Sequence, residues 1–182
     1  MFIGGKGGSG KTSSLLRSLN NKNIIYSTFC WNLIQGQKAK HNDIMGFSLP
    51  NLTGSNGKIK TEKVNINRGK YLIIDEATLI NTDTIEKILL DEEYNDYFIF
   101  ILGDIDEDGK FYQCSIDKNI INPSNYDIQY TKYTKSYRFN DELNNKLDYL
   151  RKFMFEVYDD EFKNFKVVNL KEYHERIIRR KL

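Results

Sequence analysis

The sequence predicts an α/β domain, a mostly parallel sheet flanked by helices on both faces, and three observations carry that prediction. Continuous apolar runs recur at Ile24-Ile-Tyr-Ser-Thr-Phe29, Tyr71-Leu-Ile-Ile-Asp75 and Tyr97-Phe-Ile-Phe-Ile-Leu102. Segments with helical spacing separate them. The chain opens with a short apolar run, Met1-Phe-Ile3, that leads into a glycine-rich loop. Strands that are apolar throughout, rather than alternating, belong to parallel sheets buried under helices.

Taken in order, Ser13-Ser-Leu-Leu-Arg-Ser-Leu19 reads as an amphipathic helix after the glycine loop, and Asn20-Asn-Lys-Asn23 as a turn cluster. Residues 24–29 follow as a strand, and residues 31–40 are weakly helical. Residues 41–70 hold His41, Pro50, Gly54 and Gly57 without a clear period and are expected to be mostly loop, with a short hairpin through residues 59–66. Residues 71–75 are a strand. Thr82-Asp-Thr-Ile-Glu-Lys-Ile-Leu-Leu90 spaces Ile85, Ile88 and Leu89 as a helix capped by Thr82 or Asp83. Residues 97–102 form the next strand and residues 128–133 a further one. From Asn140 the spacing of Leu143, Leu147, Leu150 and Met154 predicts a helix over residues 141–155. The organisation expected is one α/β domain over residues 1–155 and a helical, basic extension over 156–182 that leads towards a second domain.

Length and composition agree. A chain of 182 residues fits one domain with a small appendage, and that size buries about 70% of the unfolded surface without disulfide or metal staples. Hydrophobic content of 40% and charged content of 29% are ordinary for a globular protein. A net charge of +2 does not by itself argue for nucleic acid. Cys30 and Cys114 give neither a disulfide framework nor metal-ligand spacing, which fits a reducing compartment. No stretch approaches the ~20 apolar residues of a bilayer span, and the chain opens directly on the loop's strand, so neither membrane insertion nor secretion is expected. The expected location is the cytoplasm, or host cytoplasm or nucleus if the protein is viral. Abundant Lys, Asn, Ile and Tyr reflect an AT-rich coding bias.

Gly5 and Gly10-Lys11-Thr12 spell G-x-x-x-x-G-K-S/T, the phosphate-binding P-loop. A polyphosphate needs backbone N–H groups converging from a tight loop, and side chains there would block it, hence Gly5, Gly7, Gly8, Ser9 and Gly10. Lys11 would reach the β- and γ-phosphates. The Thr12 hydroxyl would ligate Mg²⁺, and the helix that starts at Gly10, through Ser13, would aim its positive end at the same phosphates. A Gly/Ser-rich tail shares the composition but not the flanking strand and helix. Asp75-Glu76, at the mouth of an apolar strand, supplies two carboxylates. The first suits Mg²⁺, and Glu76 is placed to orient or deprotonate an attacking water. Asp104 ends the next strand and could join the metal's surroundings or sense the γ-phosphate, or it could simply close a turn. Arg138, after Thr134-Lys-Ser-Tyr137, could stabilise charge on a transferring phosphoryl group, or be a surface arginine at a helix start.

The order of these pieces resembles the first RecA-like domain of superfamily 1 helicases, of a viral or mobile-element type. The likeness rests on the Gly-Lys-Thr12 loop, Ile-Ile-Asp-Glu-Ala77, Leu-Gly-Asp104 and Lys-Ser-Tyr-Arg138, and runs from about residue 1 to 155. The resemblance implies ATP as substrate with Mg²⁺. It implies Lys11 and Thr12 at phosphate and metal, Asp75 on the metal, Glu76 as general base and Arg138 as an arginine finger. It also implies single-stranded DNA or RNA as partner. Ser27-Thr-Phe-Cys-Trp31 falls where such helicases contact nucleic acid, so Phe29 and Trp31 either stack bases or belong to the core.

The sequence departs from that pattern. The glutamine expected three residues after Asp104 is Glu107, and the nearest glutamine, the candidate γ-phosphate sensor, is Gln113. An adenine-reading element upstream of Met1-Phe-Ile3 is not expected from this sequence, nor are motifs of a second RecA-like domain found within it. That domain is expected in cis or in trans, and unwinding by this chain alone is not. Two competing functions share the P-loop. A nucleoside kinase of the thymidine-kinase kind would often carry a four-cysteine zinc site, which two cysteines cannot make. A regulatory module would hold nucleotide without turnover.

Overall fold

The computed structural model describes residues 1–19, 23–56, 59–60, 70–105 and 128–156. It divides between Phe139 and Asn140 into two units. In the first, six strands form one parallel sheet: β1 (Phe2–Gly5), β2 (Ile24–Thr28), β3 (Ile44–Gly46), β6 (Tyr71–Asp75), β7 (Phe98–Gly103) and β8 (Tyr130–Tyr133). Their order across the sheet is β3-β2-β6-β7-β1-β8. Every pairing is parallel, with Thr28 opposite Asp75, Gly4 opposite Gly103 and Gly5 opposite Tyr133. The carboxyl ends of all six strands therefore meet along one edge, where open α/β sheets bind ligands.

Successive residues of a strand face opposite sides of a sheet, so an all-apolar strand feeds two cores. Ile25, Leu72, Ile74 and Ile101 pack in one, with Leu49 and Leu52 of α3 (Leu49–Thr53) and Ile85 and Ile88 of α4 (Thr82–Leu89). Ile3, Ile24, Tyr26, Ile73 and Leu102 pack in the other, with Leu15 and Leu16 of α1 (Lys11–Ser18) and Ile34 of α2 (Trp31–Lys38). Each fully buried Ile or Leu contributes about 1.5–3 kcal/mol. The fold predicted from the apolar runs, a parallel sheet under helices on both faces, is the one observed.

Boundaries moved by a residue or two, and one region differs in kind. Residues 41–70, expected to be mostly loop, contain β3, α3 and a two-stranded ribbon that pairs β4 (Ser55–Asn56) antiparallel with β5 (Ile59–Lys60). These elements are too short to show a period. β3 exists because β2 offers it a free edge, and α3 because Pro50 sits in its first turn. The rest of the predicted hairpin lies outside the described residues. The cap of α4 is Asn81, whose side chain accepts from the Asp83 N–H at 2.8 Å, rather than Thr82 or Asp83. In the second unit, α5 runs over Asp141–Glu156 and is begun by Asn140 Oδ1, which accepts from the Leu143 N–H at 2.9 Å. The basic end beyond it lies outside the described residues. No described helix is long and apolar enough to cross a membrane.

Candidate nucleotide-binding site

β1 stops at Gly5 and the chain turns sharply before α1. The Ser9 N–H donates to the Lys6 carbonyl at 3.2 Å, and the Ser14 N–H to the Gly10 carbonyl at 2.8 Å, the first bond of the helix. Gly10 caps α1 in the left-handed region, φ 85°, and no side chain caps the N–H groups behind it. Those donors face the loop without an internal acceptor. Ser9 is almost wholly buried, and its hydroxyl has no partner among the described residues. A cradle of free N–H groups, an orphan hydroxyl and a helix N-terminus is what a polyphosphate needs.

The loop is clamped from outside. The Tyr137 N–H donates to the Gly8 carbonyl at 2.9 Å and Ser136 Oγ to the Gly7 carbonyl at 2.9 Å. Gly8, at φ 76°, lies so close to this stretch that a Cβ there would sit 2.5 Å from the Arg138 Cβ. The segment after β8 thus holds the loop's shape and brings Arg138 to its rim. The sequence marked Arg138 but not the clamp made by Ser136, because a Ser-to-backbone bond across the sheet leaves no local pattern.

Three acidic residues close the site. Asp75 is buried and its carboxylate accepts three hydrogen bonds. Oδ2 accepts from Thr12 Oγ1 at 2.8 Å and from the Tyr26 hydroxyl at 2.6 Å, while Oδ1 accepts from the Glu76 N–H at 2.9 Å. Lys11 Nζ donates to the Gly5 carbonyl at 2.9 Å, to the Lys6 carbonyl at 3.1 Å and to Asp104 Oδ1 at 2.5 Å. Glu76 is the one described non-glycine residue in the left-handed region, at φ 55°, ψ 41°. Such a conformation costs a non-glycine residue about 1–2 kcal/mol. Burial pushes its carboxyl from the ordinary 4.5 up to about 7. Asp75 and Asp104 add to that push, and Lys11 and Arg138 oppose it.

Lys11, Thr12, Asp75, Glu76, Asp104 and Arg138, scattered in sequence, therefore stand around one loop. Ser13 lies a step further, on the wall of a cavity of about 650 Å³ that runs from α1 to residues 132–137. Ser14, Arg17, Lys132, Lys135 and Tyr137 line it as well, so its charged groups are all cationic. Gln113 and Glu107 lie outside the described residues. Phe29 and Trp31, for which a core position was one alternative, are exposed at 50% and 51%. They flank the end of β2, on the edge that carries Asp75. Tyr26 was missed because a tyrosine within an apolar run reads as core.

Thr12 and Asp75 put two oxygen donors side by side, a set suited to Mg²⁺, which shares its shell with phosphates instead of an all-protein cage.

No family model matches the chain, and no curated protein does. Solved structures do. One, concerned with DNA unwinding at forked double-stranded DNA by two coordinating Pif1 helicases, is 21% identical, with a TM-score of 0.55 over 84% of this chain and 44% of that one. Unliganded Pif1 from Bacteroides sp. is 21% identical with a TM-score of 0.51, over 84% of this chain and 41% of its own. Pif1 helicase from Candida albicans is 17% identical with a TM-score of 0.54, over 83% and 40%. The chain thus spans less than half the length of these structures. At such identities the likeness is one of fold, and it is the RecA-like α/β fold to which the sheet order and the P-loop also belong.

Proposed function

We propose that this chain is the ATP-binding and hydrolysing first motor domain of a superfamily 1 helicase-like protein that acts on single-stranded nucleic acid. A second RecA-like domain, in cis or in trans, completes it. The observation that carries the reading is the convergence of Thr12, Asp75 and Glu76 beside an uncapped P-loop helix, with Arg138 at the loop's rim. Similarity in fold to Pif1 helicases supports the motor class.

In this reading the loop N–H groups and Lys11 bind the β- and γ-phosphates, and Lys11 exchanges Asp104 for them. Thr12 and Asp75 would hold Mg²⁺, which when bound would neutralise charge on the phosphate oxygens. Glu76, ionised, accepts a proton from the attacking water, and Arg138 stabilises charge on the transferring group. The cationic cavity beside α1 takes the remainder of the nucleotide, with Tyr137 as a stacking surface. Phe29 and Trp31 offer stacking platforms for bases of a single strand.

The test is ATP hydrolysis with Mg²⁺, with and without single-stranded DNA or RNA. Turnover stimulated by nucleic acid supports the motor. Phosphoryl transfer to a nucleoside would instead make the chain a kinase, and binding without turnover in every condition a nucleotide-holding module.

A further inference from the structure

Asp75 is held by three donors of different origin. The Glu76 N–H comes from the next residue, and Thr12 Oγ1 from the nucleotide loop. The Tyr26 hydroxyl comes from the neighbouring strand, β2, at 2.6 Å. A carboxylate offers about four acceptor positions, so these donors fill most of them and fix the plane of the group. Their durability differs. Thr12 lies in the first turn of α1 at the end of the P-loop motif, and in the reading above its hydroxyl would also have to serve the metal. Tyr26 is 1% exposed and packed in the core face shared with Leu15 and Leu16. It reaches the site only through its hydroxyl.

A phenylalanine would fill the same space in that core. What the tyrosine adds is one oxygen, set against Oδ2 of the residue read above as the metal's protein carboxylate. Burying a hydroxyl without a partner is costly, and so is burying a carboxylate short of donors. The pair resolves both at once, two strand positions apart across the β2–β6 register, where Tyr26 stands opposite Ile73.

We propose that Tyr26 is a positioning residue for the metal site: its hydroxyl holds the Asp75 carboxylate in the orientation that receives the Mg²⁺–nucleotide complex, independently of the state of the P-loop. The inference rests on the nucleotide-site reading above.

The experiment is a binding titration of a fluorescent ATP analogue to the full chain, across Mg²⁺ concentrations and in EDTA, for wild type and Tyr26→Phe. Tyr26→Phe is expected to raise the Mg²⁺ concentration at half-maximal effect about tenfold, on the scale of a lost bond to a charged group, while affinity in EDTA stays unchanged. A merely structural hydroxyl would weaken binding equally in both conditions, and that result overturns the proposal. An unshifted Mg²⁺ midpoint overturns it too. p-Aminophenylalanine in place of Tyr26 keeps a weaker donor at the same reach and should give an intermediate midpoint. Should Tyr26→Phe fail to fold, this variant carries the test, and a wild-type midpoint then overturns the proposal. Wild-type protein that binds no nucleotide would overturn the site reading itself, whereas normal wild-type Mg²⁺ dependence with an indifferent Tyr26→Phe removes Tyr26 alone.

Discussion

Lys11 Nζ and Asp104 Oδ1 lie 2.5 Å apart, so the lysine that the P-loop pattern assigns to phosphate is held by a carboxylate from the end of β7. Both side chains are mostly shielded, at 8% and 15% exposure. Asp104 thereby stands in for an anion while the loop holds no nucleotide. It also adds negative charge where phosphates must enter.

Replacing that charge should therefore help binding. Asp104→Asn is expected to tighten nucleotide affinity in EDTA by about two- to fivefold, the scale of an ion pair worth up to about 1 kcal/mol. Lys11→Ala should abolish binding in the same titration. Unchanged affinity in Asp104→Asn would mean that the Lys11–Asp104 ion pair does not compete with nucleotide, and intact binding in Lys11→Ala would remove the P-loop assignment.

Glu76 links pH to stability in a way that needs no ligand. Its carboxyl is raised from 4.5 to about 7 in the fold, chiefly by burial. A folded-state value above the unfolded one means that the contribution is fully present below about 4.5 and is lost as pH rises through 7. Wild-type protein should therefore lose stability over that window relative to Glu76→Gln, which has no such proton to release. Denaturant midpoints at pH 5 and pH 8 check it, and parallel curves for the two proteins would contradict the shift.

Arg138 can be tested against its structural alternative. Arg138→Ala should leave nucleotide binding intact and lower turnover by about 10³-fold, as loss of an arginine that stabilises a transferring phosphoryl group does. Glu76→Gln should likewise bind while losing about 10²-fold or more in turnover, the share of a general base. The steric relation to Gly8 supplies a control. Gly8→Ala forces a Cβ against Arg138 at a positive φ, so it should destabilise the loop by about 1–2 kcal/mol. Loss of folding in Arg138→Ala, with turnover per folded molecule unchanged, would make the arginine structural.

How far the sequence reached depended on whether a feature is local. The runs at residues 24–28 and 71–75 are buried along nearly their whole length, and 98–103 in its second half, so their composition alone announced a parallel sheet. The glycine loop is contiguous, and the chemistry of Lys11 and Thr12 follows from spacing. Tyr26 on Asp75 and Ser136 on Gly7 are bonds between segments far apart in sequence, and no window of residues contains them. The strain at Glu76 is equally silent, since nothing in Asp-Glu-Ala demands a positive φ. Short elements such as β3 are set by the neighbour they pair with and carry no period of their own.

Phe29 and Trp31 carry the nucleic-acid part of the proposal. Both are half exposed beside the carboxyl end of β2, so truncating them removes little core packing. Phe29→Ala and Trp31→Ala should each melt within about 0.5 kcal/mol of wild type, as exposed substitutions do. Stacking of a base on an aromatic ring is worth about 1–3 kcal/mol, so each variant should bind a single-stranded oligonucleotide about 5- to 150-fold more weakly. Basal ATP turnover should be unchanged, because neither residue is among those read as holding phosphate, metal or water, while stimulation by the strand should fall. Fluorescence anisotropy with a labelled oligonucleotide at fixed salt measures the first effect. Strand affinity equal to wild type in both variants would move the nucleic-acid surface elsewhere, and a large drop in melting temperature would show that the rings support the fold.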